Sequence, residues 1–168
     1  MSLVHRFRDL LLPRREILKE VGIKPGFRVL DYGCGSGSYT LPLEELVGES
    51  GEIYALDTNQ LAIQSVQNII IRKQLANVKT IHSDRETGLP DSSMDVVLLY
   101  DVLHALSDPD GVLAELHRVI KPYGILSLSD HHMTENEIVT KVEGKGLFRL
   151  LRKGERTYSF KKNAKTGV

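Results

Sequence analysis

The stretch LDYGCGSGSYT, residues 30–40, sets glycines at alternate positions, Gly33, Gly35 and Gly37, just after an acid, Asp31. A glycine inside a strand or helix costs roughly 0.5–1 kcal/mol relative to alanine, so this density calls for something that must approach the backbone closely. Asp57 closes the next apolar run, where an acid can accept hydrogen bonds from ribose hydroxyls. A second set of reactive residues follows: Asp101 and His104 in YDVLHAL, and Asp130, His131 and His132 after LSLS. Imidazoles titrate near neutral pH and can take a proton from an attacking oxygen or nitrogen. Two adjacent imidazoles in a cleft have little packing rationale, although one of them can simply cap the next helix or face water. His104 can equally be a structural hydrogen-bonder.

The glycine loop and Asp57 imply a nucleoside-bearing cofactor. The spacing is G-x-G-x-G, whereas in the dinucleotide fingerprint the last glycine would fall on Ser38. A pyrophosphate seeks amides and a helix N-terminus rather than a carboxylate. Asp31 suits a cofactor bearing an ammonium group, which favours S-adenosylmethionine over NAD. No G-K-[ST] follows, so phosphate-loop chemistry is set aside.

The elements that must carry these residues alternate. Residues 27–32, 51–57, 77–84, 94–101 and 124–130 read as buried strands, and 38–47, 59–74 and 108–120 as helices, the last ended by Lys121-Pro122. Alternation of this kind means right-handed crossovers and a parallel sheet covered on both faces. TENEIVTKVE opens with a capping box, Thr134 and Glu137. GLFRLLRKGERTYSFKK then reads as a hairpin joined tightly at Lys153-Gly154. A leading helix over about residues 4–22, interrupted at Pro13, precedes the sheet.

At 168 residues the chain is most simply one domain with a full core. No apolar stretch is long enough to span a bilayer, and no signal peptide is read at the start. The single cysteine, Cys34, fits a reducing cytoplasm. A formal net charge of zero argues against general nucleic-acid binding. It hides an asymmetry, for residues 141–168 carry nine Lys/Arg against two acids. That basic edge is either a solvated face or a surface for an anionic partner or a second subunit, which leaves a homodimer open.

Over about residues 25–161 the chain resembles the class I S-adenosylmethionine-dependent methyltransferases. VLDYGCGSG is similar to their first motif and IYALD to their ribose-binding strand end. HSDRETGLPDSSMDVVLLYDVLHAL resembles the segment from adenine to active site, and ELHRVIKPYGILSLSD the RVLKPGG element, with Tyr123 replacing its first glycine. The resemblance implies a doubly wound α/β fold: a seven-stranded, mostly parallel sheet of order 3-2-1-4-5-7-6, the last strand antiparallel, with helices on both faces. It implies an S-adenosylmethionine-binding domain over 25–168, preceded by a helical segment over 1–24. No insertion is long enough for a substrate domain, so a lid would come from residues 1–24, the 131–146 segment or another subunit. Arg14, Arg15 and Phe7 would close over the site, unless they form an ordinary amphipathic surface.

By position, the resemblance gives the methionine moiety to Asp31, Gly33, Gly35 and Gly37, and the ribose to Asp57 with Thr58. It gives the adenine to Asp84 and Arg85, and the wall near the sulfonium to Tyr100. Asp84 could instead be a turn cap and Tyr100 a core aromatic. His104, His131 and His132 are the candidate catalytic residues, and no metal is expected, although Asp101 with Asp130 could imitate a catechol-type metal pair. The D/N-P-P-Y/F turn of amino-methylating nucleic-acid enzymes is absent. Cys34 lies inside the cofactor loop rather than at a nucleophile's position, and one cysteine cannot serve arsenic methylation. The implied activity is methyl transfer to a small-molecule or lipid-like acceptor. The alternatives are a macromolecular acceptor or cofactor binding without catalysis.

Overall fold

In the computed structural model, residues 13–164 are described; Phe7 and the first part of the leading helix lie outside them. Residues 13–19 are helical (α1). There follow β1 (Arg28–Tyr32), α2 (Thr40–Val47), β2 (Glu52–Asp57), α3 (Gln60–Lys73), β3 (Val78–His82), β4 (Met94–Tyr100), a 3-10 turn (Leu103–Ala105), α4 (Pro109–Val119), β5 (Ile120–Ser129), α5 (Glu135–Glu143), β6 (Phe148–Lys153) and β7 (Tyr158–Lys162). The seven strands form one sheet of order β3-β2-β1-β4-β5-β7-β6. Strands β1 to β5 run parallel, and β7 is antiparallel to both β5 and β6.

Alternation along the strands divides the core in two. Val29, Ile53, Ala55, Val96 and Leu98 pack with Leu18, Leu43, Val47 and Val66 from the α1–α3 side. Leu30, Leu56, Val97, Leu99 and Leu128 pack with Leu113 and Leu116 of α4 and Ile138 of α5 on the other face. Both faces are therefore covered, which explains why β4 is continuously apolar from Val96 to Tyr100. Full burial of each such side chain is worth about 1.5–3 kcal/mol.

Two boundaries differ from the sequence expectation. Strand β5 begins at Ile120, directly after α4, and contains Lys121-Pro122. The ladder pairs Met94 with Ile120 and then Val96 with Ile125, so residues 121–124 bulge out of register. Proline lacks the amide a regular ladder needs and is tolerated there. The closing hairpin exists, but its strands are joined by residues 154–157 rather than by a tight turn at Lys153-Gly154.

That longer loop has a specific anchor. Glu20, just past α1, accepts hydrogen bonds from the amides of Arg156 and Thr157 and from the Thr157 hydroxyl, at 2.8–3.1 Å. A Cβ on Gly154 would lie 2.2 Å from the Glu20 carboxylate, so glycine makes room for the clamp. The capping box on α5 is present in both directions, Thr134 to Glu137 and back.

Candidate functional site

The glycine loop leaves the carboxyl end of β1 and is held from β2. The amides of Gly33 and Cys34 both donate to the Leu56 carbonyl, at 2.8 and 2.9 Å. The Gly35 amide donates to Asp57 Oδ2, and the Asn59 amide to Asp57 Oδ1, each at 2.9 Å. Asp57 thus ties the loop to the start of α3 while both its oxygens keep a further lone pair for a ligand. The three glycines answer different demands. A Cβ at Gly33 would meet Val102 Cγ2 at 2.3 Å, and one at Gly37 would meet Ile69 Cδ1 at 2.9 Å. Gly35, at φ +51°, has nothing within 4 Å of where its Cβ would stand. It borders open space, and it is the glycine whose surroundings suit a bound molecule.

That space is a cavity of about 450 Å³. Asp31, Gly33, Gly35, Tyr39, Tyr100, Asp101 and His131 line it, and α1 closes one side with Arg14 and Ile17. Arg14 sits 5.8 Å over the Tyr39 ring, whereas Arg15 turns away to pair with Glu45. Of the predicted lid residues, Arg14 alone reaches the cavity among those described.

Asp31 is the electrostatic centre of this cavity. The residue is buried, and its Oδ2 has no hydrogen-bond partner. Burial, and then the nearby charge of Asp57, push its carboxyl up to about 7. A buried carboxylate without partners is costly, and the natural remedy is a cationic ligand group. The orphaned oxygen, the open face of Gly35 and the acceptors of Asp57 therefore fit the ammonium and hydroxyl groups of S-adenosylmethionine. Cys34 is buried, and desolvation first, then the charges of Asp31 and Asp57, push its thiol up to about 12. It stays a neutral thiol, unsuited to nucleophilic chemistry.

Tyr100 lines the cavity with its ring, edge to face with Tyr39 at 5.2 Å between centroids. Its hydroxyl turns into the sheet and hydrogen-bonds Ser127 Oγ at 2.8 Å. On the far side of the mouth, His131 Nδ1 lies 2.8 and 3.0 Å from the two oxygens of Asp101. A carboxylate can only accept, so Nδ1 carries the hydrogen and Nε2 is left as the basic position. The His131 amide also donates to Asp101 Oδ1 at 2.8 Å. Asp101 is held at φ +54°, a left-handed conformation that side chains other than asparagine and aspartate rarely adopt. Backbone strain at a strand end that aims a carboxylate at an imidazole is a feature of functional sites.

The other predicted residues stand outside this cavity. Thr58 offers its carbonyl to His82 Nε2 at 2.9 Å. Asp84 is exposed beyond the end of β3, and Arg85 pairs with Asp108 at 3.1 Å. They occupy the same carboxyl edge of the sheet as Asp57. His104 and His132 gather instead around Asp130, whose side chain is fully buried. Burial raises the Asp130 carboxyl, but hydrogen bonds from His104 and His132 outweigh it and hold the group below its ordinary value. Sequence reasoning missed Tyr39 as a wall of the site and Ser127 as the partner of Tyr100. Tyr39 sits two residues beyond the last glycine of the loop, which was its only signal.

A family model described as "Methyltransferase domain" matches residues 23–163. The demethylmenaquinone methyltransferase of Geobacillus sp. (strain WCH70) is 37% identical over 125 residues, covering 74% of this chain and 53% of the relative. The ubiquinone/menaquinone biosynthesis C-methyltransferase of Shewanella sp. (strain W3-18-1) is 29% identical over 152 residues, covering 89% of this chain and 59% of that one. The chain thus spans somewhat over half the length of these curated relatives. Among solved structures, a SAM-dependent methyltransferase from Aquifex aeolicus superposes with a TM-score of 0.77 at 28% identity, covering 88% of this chain and 87% of that one.

Proposed function

Since the chain belongs to the methyltransferase-domain family, we propose that it transfers a methyl group from S-adenosylmethionine to a ring carbon of a small, quinone-like acceptor. The observation that carries this reading is the buried Asp31 carboxylate with an orphaned oxygen, facing a cavity beside an open glycine. The acceptor class follows the relatives, which are named for demethylmenaquinone and for ubiquinone/menaquinone C-methylation.

When bound, S-adenosylmethionine supplies a methyl group on a positively charged sulfur. Asp31 would hold the ammonium group of its methionine moiety, and the loop backbone at Gly33, Gly35 and Gly37 would fit around it. Asp57, with Thr58 beside it, would take the ribose hydroxyls, and Asp84 and Arg85 would flank the base. Tyr39 and Tyr100 give the cavity an apolar wall that excludes water from the reacting atoms. His131 Nε2, with Nδ1 fixed on Asp101, is positioned to take a hydroxyl proton from a reduced quinone. Loss of that proton makes the neighbouring ring carbon electron-rich, and Asp101 stabilises the imidazolium that forms. Once that carbon carries the methyl group, its own hydrogen leaves as a proton to water, and the imidazolium returns its proton to the oxygen, restoring the hydroquinone.

Residues 25–168 act on this reading as the cofactor domain, and the segment before them as a partial lid, supported by Arg14 and Ile17 at the cavity wall. The reading assigns the chain to the cytoplasm. A single, buried, free cysteine supports that, and no helix among the described residues is long and apolar enough to cross a membrane.

The test is binding followed by turnover. S-adenosylhomocysteine should bind in calorimetry and raise the melting temperature, and NAD should do neither. A ligand at 100 times its dissociation constant adds about 2.7 kcal/mol to stability. With S-adenosylmethionine and a reduced naphthoquinone, mass spectrometry should find one added methyl group. His131→Ala should lower that turnover by about 10²–10⁴ with little change in cofactor affinity. Tight binding without turnover on any reduced quinone would leave a cofactor-binding protein or a different acceptor class, and a response to NAD alone would overturn the cofactor.

A further inference from the structure

Against the expectation of no metal, three side chains able to ligate one converge beside the acceptor end of the sheet. His104, from the 3-10 turn after β4, and Asp130 and His132, just past β5, each offer a ligand atom, and these atoms lie within 4.8 Å of one another. The intervening residue, His131, lines the cofactor cavity instead. The chain turns at His131-His132 just past β5, so one short segment serves both places.

We propose that His104, Asp130 and His132 form a binding site for a divalent first-row transition ion, with Zn²⁺ or Co²⁺ as the probes. The carboxylate is preset for it. The Asp130 side chain is wholly buried, and its oxygens accept from the amides of His104 at 3.1 Å and His132 at 3.0 Å. Those two amide bonds fix the carboxylate; the lone pair that meets His104 Nδ1 in the metal-free protein is the one an ion would take as that nitrogen gives up its hydrogen. His104 Nδ1 stands 2.9 Å from Asp130 Oδ2, and His132 Nδ1 3.6 Å from Oδ1. The two imidazoles lie face to face at 4.0 Å between centroids, tilted by 31°.

The donor set indicates which kind of ion the cluster suits. Two imidazole nitrogens and one carboxylate oxygen suit Fe, Co, Ni or Zn rather than Mg or Ca. Three protein ligands leave further coordination positions open, the arrangement of reactive rather than structural metal sites. His104 and His132 are 30% and 64% exposed at their side chains, so those positions face solvent and would admit an oxygen donor of a small molecule.

The experiment titrates EDTA-stripped full chain with Zn²⁺ and Co²⁺, read by calorimetry and by the visible absorption of Co²⁺, with no cofactor or acceptor present. One saturable equivalent is expected. His104→Ala and His132→Ala should each weaken it at least about 10-fold, since even outer-shell partners of metal ligands cost 10–100-fold in affinity. His82→Ala should leave it unchanged. Asp130→Asn should abolish it; because Asp130 also accepts two amides, its fold is checked by circular dichroism, and the histidine variants decide alone if it unfolds. Absence of saturable binding, or affinity unchanged in both histidine variants, would overturn the site. So would a loss confined to His82→Ala.

Discussion

Asp31 and Asp57 end neighbouring strands and both face the glycine loop, yet only Asp57 is hydrogen-bonded to it; Asp31 Oδ2 is buried without a partner. The charge of Asp57 adds to desolvation in raising Asp31, so the cofactor-free protein carries an electrostatic cost at its own site.

The sign of that cost can be measured. The Asp31 carboxyl rises from 3.8 to about 7 on folding, so the native state keeps a proton that the unfolded chain releases. The stability tied to this group is present below about pH 4 and is lost as pH rises through about 7. At about 1.36 kcal/mol per pKa unit the loss is of the order of 4 kcal/mol at most. Relative to Asp31→Asn, the apoprotein should lose melting temperature between pH 5 and 7.5. S-adenosylhomocysteine should narrow that gap, and its binding should release protons to the buffer near neutral pH. Equal pH profiles for the two proteins would mean Asp31 is already ionised.

Asp57→Ala should weaken cofactor binding by about 1.5–3 kcal/mol, the range for hydrogen bonds to a charged group. It also frees the Gly35 and Asn59 amides, so a loss of melting temperature should accompany the loss of affinity. Asp57→Asn, which keeps one acceptor, should recover part of both. Calorimetry and a thermal melt on the same samples separate the two effects.

The glycines should divide. Gly37→Ala drives a Cβ toward half-buried Ile69 at 2.9 Å and buried Val66 at 3.0 Å on α3, and should cost about 1–3 kcal/mol through overpacking, in addition to backbone strain. Gly35→Ala meets no atom and should cost only the about 1–2 kcal/mol of a left-handed residue. Its main effect should fall on cofactor affinity. Denaturant melts and calorimetry on both variants check the contrast.

Tyr100→Phe should behave as a packing variant. The ring that faces the cavity is kept, while Ser127 Oγ loses its 2.8 Å partner inside the sheet. A stability loss of about 1 kcal/mol is expected, with cofactor affinity nearly unchanged. A large loss of affinity would show that the hydroxyl serves the ligand.

Where sequence and structure agree, the agreement comes from long, regular patterns. Apolar runs such as VVLLY, residues 96–100, are buried between two helical layers, and the glycine loop has few other uses at the end of such a strand. Pattern fails where a distant residue decides. The hairpin loop is longer than the Lys153-Gly154 signal because Glu20 holds it open, and nothing near residue 154 encodes that. The role of Gly37 depends on α3, some thirty residues on. The histidines were legible as a group but not as partners, since which carboxylate each one meets follows from how the ends of β4 and β5 are staggered. His131 meets Asp101 and His104 meets Asp130, a crossing that spacing alone does not reveal.

The Glu20 clamp also bears on how the chain folds in time. Its partners, Arg156 and Thr157, lie 136 and 137 residues further along. Contacts of such separation pay a large loop-closure entropy before they return anything, so they form after the parallel core has condensed. Glu20→Ala should therefore leave the refolding rate almost untouched and express its whole effect as faster unfolding. The clamp acts as a late fastening, and its strength sets how long the finished sheet lasts rather than how quickly it is made.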